Sequence, residues 1–225
     1  MNMIEKLTSD PYLSSRVEVV WDQLSQEFEA AYSSMTTKYM ERPELSFHPF
    51  VKLLGFLCLE VTPLPGDIVE IGVWKGKSLA LMQRLTGPPA KVIGIDPCEL
   101  EGQYNELSYF HQTIFPESKI IKGYSQLSIE SVLDISKQFK LLHIDGGHSS
   151  ENVWMDFLMY ERFVVQGGYV VFDDYVDPEH SPEVGPTIDK MRRLGIFKDY
   201  YEIGQLLGYE SSFVLCKARQ TAGLL

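Results

Sequence analysis

The sequence predicts a doubly wound α/β domain with a mostly parallel sheet, and three observations lead to that prediction. Short apolar runs alternate with helical patterns from about residue 67 onward, which is typical of strands joined by crossover helices. Most of these runs are apolar throughout, as in parallel strands that helices cover on both faces. Two closely spaced runs near the end predict a hairpin, so that one late strand is antiparallel.

Two helices are predicted ahead of the sheet. Residues 12–34 carry apolar side chains at helical spacing, and a second helix is expected over Pro49–Val61, before a proline-rich turn. Residues 1–62 are therefore expected to form an amino-terminal helical extension that acts as an acceptor lid or as an oligomer contact. Residues 63–225 are expected to form the main domain.

The elements of the main domain follow in order. The predicted strands are Asp67–Val73, Lys91–Ile95, Lys119–Lys122, Leu141–Ile144 and Tyr169–Phe172. The helices between and after them are predicted at Ser78–Leu85, Leu100–Ile114, Gln126–Phe139, Ser150–Val165 and Pro186–Leu194. Two strands close the chain at about Tyr201–Gln205 and Ser211–Cys216, joined by a turn at Leu207-Gly208. Ligands of such sheets bind beyond the carboxyl ends of the strands, where the strand order reverses.

Composition narrows the class of function. The net charge of −11 without any basic block argues against binding to nucleic acid, which needs clustered Lys and Arg. The three cysteines are far apart and predict neither disulfides nor a zinc site. No apolar run reaches the ~20 residues that span a bilayer, and the start has no signal-peptide pattern. We therefore expect a soluble cytoplasmic enzyme or binding protein that acts away from membranes.

The first strand runs into the segment EIGVWKGKS, residues 70–78. Gly72 and Gly76 allow a tight turn and close approach of a ligand, and the helix that begins at Ser78 offers free N–H groups. The glycine spacing differs from the dinucleotide fingerprint, which argues against an NAD-linked oxidoreductase. An acid at Glu70 suits a cationic ligand, and S-adenosylmethionine carries both an ammonium and a sulfonium.

Two further motifs predict a nucleoside site. Asp96 ends the second strand, 20 residues after Gly76, where an acid receives the ribose hydroxyls of a bound nucleoside. The segment that contains Ser125 follows the third strand and is placed to border an adenine. Each feature alone also fits a plain turn or a helix cap, but their order along the chain favours a nucleoside.

Carboxylates end the fourth and fifth strands. The fourth ends in DGGH, with Asp145 and His148, and the fifth ends in DDY, with Asp173 and Asp174. Adjacent strands bring these carboxylates together, and their repulsion must be relieved by a cation or by protons. Oxygen ligands favour Mg²⁺ or another hard divalent cation. In the alternative interpretation, Asp145 caps the next helix and the other two begin a polar loop.

From about Gly66 to Lys217 the chain resembles the class I S-adenosylmethionine-dependent methyltransferases, whose motifs match Glu70, Gly72, Gly76 and Asp96. Within them it resembles the metal-dependent O-methyltransferases of the macrocin and novobiocin sugar type, and the cephalosporin-hydroxylase-like group. The resemblance implies a Rossmann-like seven-stranded sheet with one antiparallel late strand. It also implies the cofactor S-adenosyl-L-methionine.

The resemblance also carries roles to individual residues. It assigns Mg²⁺ to Asp145, Asp173 and Asp174, and the role of general base to His148. It implies that Asp145 borders the cofactor, the metal and the reacting hydroxyl at once. Histidine at the base position and Asp174 as the last acid favour a sugar hydroxyl over a catechol. His143, inside a strand, is expected to belong to the core.

The acceptor and the partners are less well defined. The acceptor pocket is expected between the segments Tyr32–Phe50 and Tyr175–Pro186. Aromatic residues that can line it, or else pack in the core, are Tyr39, Phe47, Trp74, Tyr104, Tyr109, Trp154 and Tyr175. The alternatives left open are a catechol or phenol O-methyltransferase, a non-catalytic S-adenosylmethionine-binding protein, and a metal hydrolase. A homo-oligomer is also possible through the amino-terminal helix.

Overall fold

The computed structural model describes residues 10–41, 43, 49–206 and 209–218. The helices are α1 (Pro11–Ser34), α2 (Pro49–Glu60), α3 (Lys77–Thr86), α4 (Gln103–Ile114), α5 (Ser125–Ile135), α6 (Ser150–Tyr160) and α7 (Val184–Arg193). The strands are β1 (Asp67–Ile71), β2 (Val92–Asp96), β3 (Lys119–Lys122), β4 (Phe139–Ile144), β5 (Val164–Phe172), β6 (Tyr200–Leu206) and β7 (Tyr209–Lys217). None of the helices in this part of the chain is long and apolar enough to cross a membrane.

The strands form one seven-stranded sheet in the order β3-β2-β1-β4-β5-β7-β6. Strands β1 to β5 pair in parallel, whereas β7 is antiparallel to both β5 and β6. This confirms the predicted doubly wound sheet with one antiparallel late strand. The chain moves outward from β1 to β3 and then returns to β4, so the strand order reverses between β1 and β4.

Alternating strand residues face two apolar clusters, one on each side of the sheet. On β1, Ile68 belongs to one cluster and Val69 to the other. Helices α1 to α4 supply the first cluster, and helices α5 to α7 supply the second. Helices cover both faces, which explains why the strand sequences are apolar throughout rather than alternating.

Helix α1 agrees with its prediction and packs within the chain. The carboxylate of Asp10 caps its start by accepting hydrogen bonds from the N–H groups of Tyr12 and Leu13. Its apolar stripe is buried, with Val17, Trp21, Leu24, Phe28 and Ala31 at most 4% exposed. The stripe is therefore covered by the chain's own core, and the roles of lid and oligomer contact remain predictions.

Several element boundaries differ from the predictions. Strand β5 begins at Val164 rather than Tyr169, because the glycine pair at 167–168 forms an irregularity inside the strand instead of a turn before it. Helix α6 accordingly ends at Tyr160, and a 3₁₀ turn over Glu161–Phe163 leads into β5. Helix α5 ends at Ile135, four residues before its predicted end. The predicted turn at 207–208 lies outside the described residues.

Candidate functional site

A cavity of about 630 Å³ opens beyond the carboxyl ends of β1, β2 and β4. It lies where the strand order reverses, which is the position expected for a ligand of a doubly wound sheet. Its walls come from the turn after β1, the loop after β2, the start of α5 and the loop after β4. The predicted site residues on these walls are Gly72, Ser78, Asp96, Ser125, Asp145 and His148.

Two glycines shape the turn between β1 and α3. Gly72 has φ +88°, and a Cβ there would lie 1.7 Å from the carbonyl oxygen of Asp145. Gly76 has φ +83°, and a Cβ there would collide with the ring of Phe115. Gly76 does not line the cavity but packs against Phe115, so it affects the shape of the turn without contacting a ligand in the cavity. The turn can therefore approach the end of β4 at Gly72 and the ring of Phe115 at Gly76 only because these positions lack side chains.

Asp96 organises this turn with its carboxylate. One oxygen accepts hydrogen bonds from the N–H groups of Val73 and Trp74, at 2.9 and 2.7 Å. The other accepts from the N–H of Cys98 and from the side-chain amide of Gln103, at 2.7 and 3.0 Å. A carboxylate offers about four acceptor positions, and the protein itself uses four here. The prediction that Asp96 receives ribose hydroxyls therefore requires it to share these positions.

The cavity wall also carries a buried acid that sequence reasoning missed. The carboxylate of Asp156, on α6, accepts hydrogen bonds from the hydroxyl of Ser125 and the side-chain amide of Gln126. Burial raises the pKa of Asp156 to about 6, although the hydrogen bond from Ser125 opposes the change. No motif marks this residue, because it reaches the cavity only through the packing of α6 on α5.

The carboxylates at the ends of β4 and β5 lie together. Desolvation raises the pKa of Asp145 well above its usual range, and the charges of Asp173 and Asp174 raise it further. Desolvation also raises the pKa of Asp173. These shifts mean that the cluster accommodates its negative charge poorly without a cation or protons.

Two sets of three side chains, within the part of the chain that the structure describes, have the spacing of a single-ion site. One set is His143, Asp145 and Asp173, and the other is Asp145, His148 and Asp174. Within each set the candidate ligand atoms lie within 4.8 Å of one another. The predicted trio of three aspartates is not one of these sets, since each combines two aspartates with a histidine.

His148 is held by a small hydrogen-bond network. Its Nε2 lies 3.1 Å from Oδ2 of Asp174, and its Nδ1 lies 2.8 Å from the hydroxyl of Ser181. Ser181, which is 1% exposed, also donates a hydrogen bond of 2.7 Å to Asp174. Because the Ser181 proton points to Asp174, the serine oxygen accepts from Nδ1–H of His148. Sequence reasoning missed Ser181, which belongs to no motif.

Glu70 and His143 form a buried pair beneath the cavity. They are direct neighbours in the register of β1 and β4, and Nδ1 of His143 lies 2.9 Å from Oε1 of Glu70. Burial lowers the pKa of His143, but the hydrogen bond and charge of Glu70 raise it overall. His143 is buried as predicted, yet it is part of a polar pair. Glu70 is not among the residues that line the cavity, and its role towards the cofactor stays a prediction.

A second cavity of about 690 Å³ adjoins the first. Tyr39, Trp74 and Lys75 lie on its wall, and Trp74 and Lys75 line both cavities. Of the other predicted acceptor-pocket aromatics, Trp154 and Tyr175 pack against the core, Tyr104 and Tyr109 are exposed on α4, and Phe47 lies outside the described residues.

The central segment of the chain is similar to a known protein family. Residues 69–175 match the family model described as a methyltransferase domain. Among curated proteins, an uncharacterized protein of Acanthamoeba polyphaga mimivirus is 38% identical over 130 residues. Those residues make up 55% of this chain and 58% of the relative, so the match spans less than two thirds of the relative's length.

Solved structures share the fold. The O-methyltransferase NovP superposes with a TM-score of 0.64 at 16% identity, covering 90% of this chain and 100% of NovP. CalS11, a TDP-rhamnose 3'-O-methyltransferase, superposes with a TM-score of 0.60 at 18% identity, covering 87% of this chain and 93% of the CalS11 chain. The methyltransferase MycE, in complex with Mg, SAH and mycinamycin VI, superposes with a TM-score of 0.56 at 17% identity. The match covers 90% of this chain and 56% of the MycE chain. At these identities the likeness shows the fold.

Proposed function

We propose that this chain, which matches a methyltransferase-domain model over residues 69–175 and shares its fold with O-methyltransferases, is an S-adenosylmethionine-dependent O-methyltransferase of small molecules. The observation that carries the proposal is the cavity at the reversal between β1 and β4. Asp145 and His148 line that cavity together with Ser125 and Asp156, and Asp173 and Asp174 lie beside Asp145 and His148. This arrangement suits a nucleoside whose reactive end points towards an acid–base pair.

The cavity walls fit the parts of S-adenosylmethionine. The segment at Ser125 borders the adenine, with the amide of Gln126 held in place by Asp156. Asp96 and the exposed Glu99 offer acidic oxygens to the ribose side. The amino end of α3 at Ser78 offers N–H groups to the carboxylate of the methionyl part. In this proposal the predicted cofactor residues that line the cavity all contact the same ligand. Glu70 and Gly76 do not line the cavity and support the residues that do.

The carboxylate cluster fits a divalent cation. Asp145, Asp173 and Asp174 would hold it, because a cation relieves the desolvation and the repulsion that raise the pKa values of Asp145 and Asp173. Hard oxygen donors of this kind favour Mg²⁺ or Mn²⁺. Bound there, such an ion supplies Lewis-acid chemistry that lowers the pKa of an acceptor hydroxyl and orients its oxygen.

His148 is the proposed general base. Nδ1 donates to Ser181, so only Nε2 can take the hydroxyl proton, and the carboxylate oxygen of Asp174 that lies beside Nε2 must move aside, towards a cation, for the hydroxyl to reach it. In the overall reaction the bond between sulfur and the methyl carbon breaks, a bond between that carbon and the acceptor oxygen forms, and the proton moves to Nε2. Asp174 stabilises the imidazolium that results, since its carboxylate lies 3.1 Å from that nitrogen.

A sugar hydroxyl is the proposed acceptor. The support is the histidine at the base position and the likeness of the fold to CalS11, whose own substrate is a TDP-linked sugar. The adjoining cavity, with Tyr39 and Trp74 on its wall, provides flat aromatic surface of the kind on which sugar rings pack. A catechol or phenol acceptor is the alternative within the same chemistry.

The test is methyl transfer from S-adenosylmethionine to a panel of acceptors, with and without a chelator. We expect turnover on deoxysugar-bearing compounds that EDTA abolishes and Mg²⁺ restores. Asp145→Asn should remove the response to Mg²⁺, and His148→Ala should lower kcat at least ~100-fold with cofactor affinity unchanged. Turnover that resists EDTA would exclude the cation. Cofactor binding without turnover on any acceptor would favour a non-catalytic binding protein.

A further inference from the structure

We propose that His143 is a ligand of the divalent cation through Nε2, so that one imidazole and the carboxylates of Asp145 and Asp173 hold the ion. The inference rests on the cation site of the proposed function. In this ligand set His143 takes the place of Asp174. Asp174 then keeps its contacts with His148 and Ser181. It also gives the Glu70–His143 pair a role in the site.

Strand geometry places His143 beside the two carboxylates. His143 and Asp145 are two residues apart at the end of β4, so their side chains point to the same face of the sheet. His143 also pairs with Val171 of β5, two residues before Asp173. The resulting set has its ligand atoms within 4.8 Å of one another. Two atoms bonded to one ion at about 2.1 Å lie at most about 4.2 Å apart, so a contraction of about 0.6 Å suffices.

The second nitrogen of His143 is the independent observation. His143 is 1% exposed, and its Nε2 has no hydrogen-bond partner among the described residues. A buried polar atom left unpaired is destabilising because it loses its hydrogen bonds to water, so natural proteins seldom retain one without a reason. His143 belongs to the same close set as Asp145 and Asp173, and because Nδ1 already lies against Glu70, Nε2 is the nitrogen left to face them. A cation between them satisfies the nitrogen and neutralises the carboxylates together.

Glu70 provides the support that metal-bound histidines require. A histidine that binds a metal through one nitrogen usually donates the N–H of the other to a carboxylate, which fixes the tautomer and the ring orientation. Here Oε1 of Glu70 lies 2.9 Å from Nδ1 of His143. With the proton on Nδ1, the lone pair of Nε2 points to the cluster. This also explains why Glu70 is fully buried and absent from the cavity wall.

The competing interpretation makes His143 a buried imidazolium that neutralises the acids without a metal. In that state Nε2 carries a proton as well, and the N–H needs an acceptor. Within the described part of the chain, no acceptor lies in hydrogen-bonding geometry with Nε2. The two interpretations differ in one measurable property, which is direct bonding between the ion and a histidine nitrogen.

A nitrogen ligand also predicts the choice of metal. Imidazole favours Mn²⁺ and the later first-row ions over Mg²⁺, whereas an all-oxygen site does not discriminate as strongly. We therefore expect Mn²⁺ to bind more tightly than Mg²⁺. We expect this preference to shrink about tenfold in His143→Gln, which keeps a polar side chain of similar length but loses the imidazole.

The experiment is pulsed electron paramagnetic resonance of Mn²⁺ bound to the full chain, in which a directly bonded ¹⁴N modulates the echo. The matched variants are His143→Gln and His148→Gln, since His148 is the other histidine of the cluster. We expect the modulation in the wild type and in His148→Gln, and its loss in His143→Gln. Circular dichroism establishes that each variant is folded, and Glu70→Gln should weaken Mn²⁺ binding about 10-fold.

Each outcome decides a separate question. If Mn²⁺ binds without nitrogen modulation, or if only His148→Gln removes the modulation, the inference is wrong and the oxygen site remains. If Mn²⁺ does not bind at all, the cation of the proposed function is wrong as well. If His143→Gln does not fold, the anomalous signal of Mn²⁺ in a crystal of the wild type decides, because the inference requires the peak within bonding distance of Nε2.

Discussion

The substitution Gly72→Ala tests whether the close approach of β1 and β4 builds the site. The new Cβ would lie 1.7 Å from the carbonyl oxygen of Asp145, and real Cβ contacts essentially never fall below 3.0 Å. The two strand ends must therefore separate by at least about 1.3 Å. The left-handed backbone adds about 1 kcal/mol for a side chain, and the overlap adds about 2 kcal/mol. For a chain of this size, the sum of about 3 kcal/mol corresponds to about a 6–12 °C fall in Tm.

The same displacement moves Asp145, so activity should fall more than stability suggests. A misplacement of about 1 Å costs roughly 100-fold in rate. The matched control is Gly195→Ala, which also has a positive φ of +69°, but an added Cβ there meets no atom of the described residues within 4 Å. We expect this control to lose about 1 kcal/mol and no activity. Thermal melts and kcat for both variants are the assay, and equal losses in the two variants would refute the reasoning.

Two further predictions concern groups that no motif marks. Ser181→Ala should lower kcat about tenfold by removing the hydrogen bond that orients the imidazole of His148, with cofactor affinity unchanged. The control Ser136→Ala removes a similarly buried hydroxyl outside the site and should leave kcat unaltered. A similar fall in kcat in both variants would contradict a specific role for Ser181. The raised pKa of Asp156, about 6 when folded against about 3.9 unfolded, means that the folded state binds more protons than the unfolded state between those values. Its contribution therefore falls as pH rises from about 4 to 6, by about 3 kcal/mol. Asp156→Asn should gain stability relative to the wild type across that window in urea melts, and a difference that does not vary with pH would contradict this.

Sequence patterns predicted the sheet because the apolar runs and their order are local properties. The position of Asp145, Asp173 and Asp174 followed from the same reasoning, since parallel strands end at one edge. The start of β5 was missed because glycines at 167–168 predict a turn, whereas tertiary pairing holds them inside an irregular strand. At this position the local preference of the glycines for a turn is overridden by the pairing of β5 with β4.

The polar partners of the site could not be predicted. That Glu70 faces His143 depends on the register between β1 and β4, which no local pattern encodes. Ser181 reaches His148 only through the path of a loop that carries no periodic signal. The four hydrogen bonds to Asp96 likewise arise from a turn closing over a neighbouring strand. Sequence identifies which groups end strands, whereas their partners depend on packing between segments.

The most direct test of the central claim is a crystal structure of the full chain with S-adenosylhomocysteine. We predict the nucleoside in the cavity between β1 and β4, with its adenine beside Ser125 and its sulfur towards Asp145 and His148. Isothermal titration on the same preparation gives the affinity in solution. A ligand bound elsewhere, or with its sulfur directed away from the carboxylate cluster, would contradict the account.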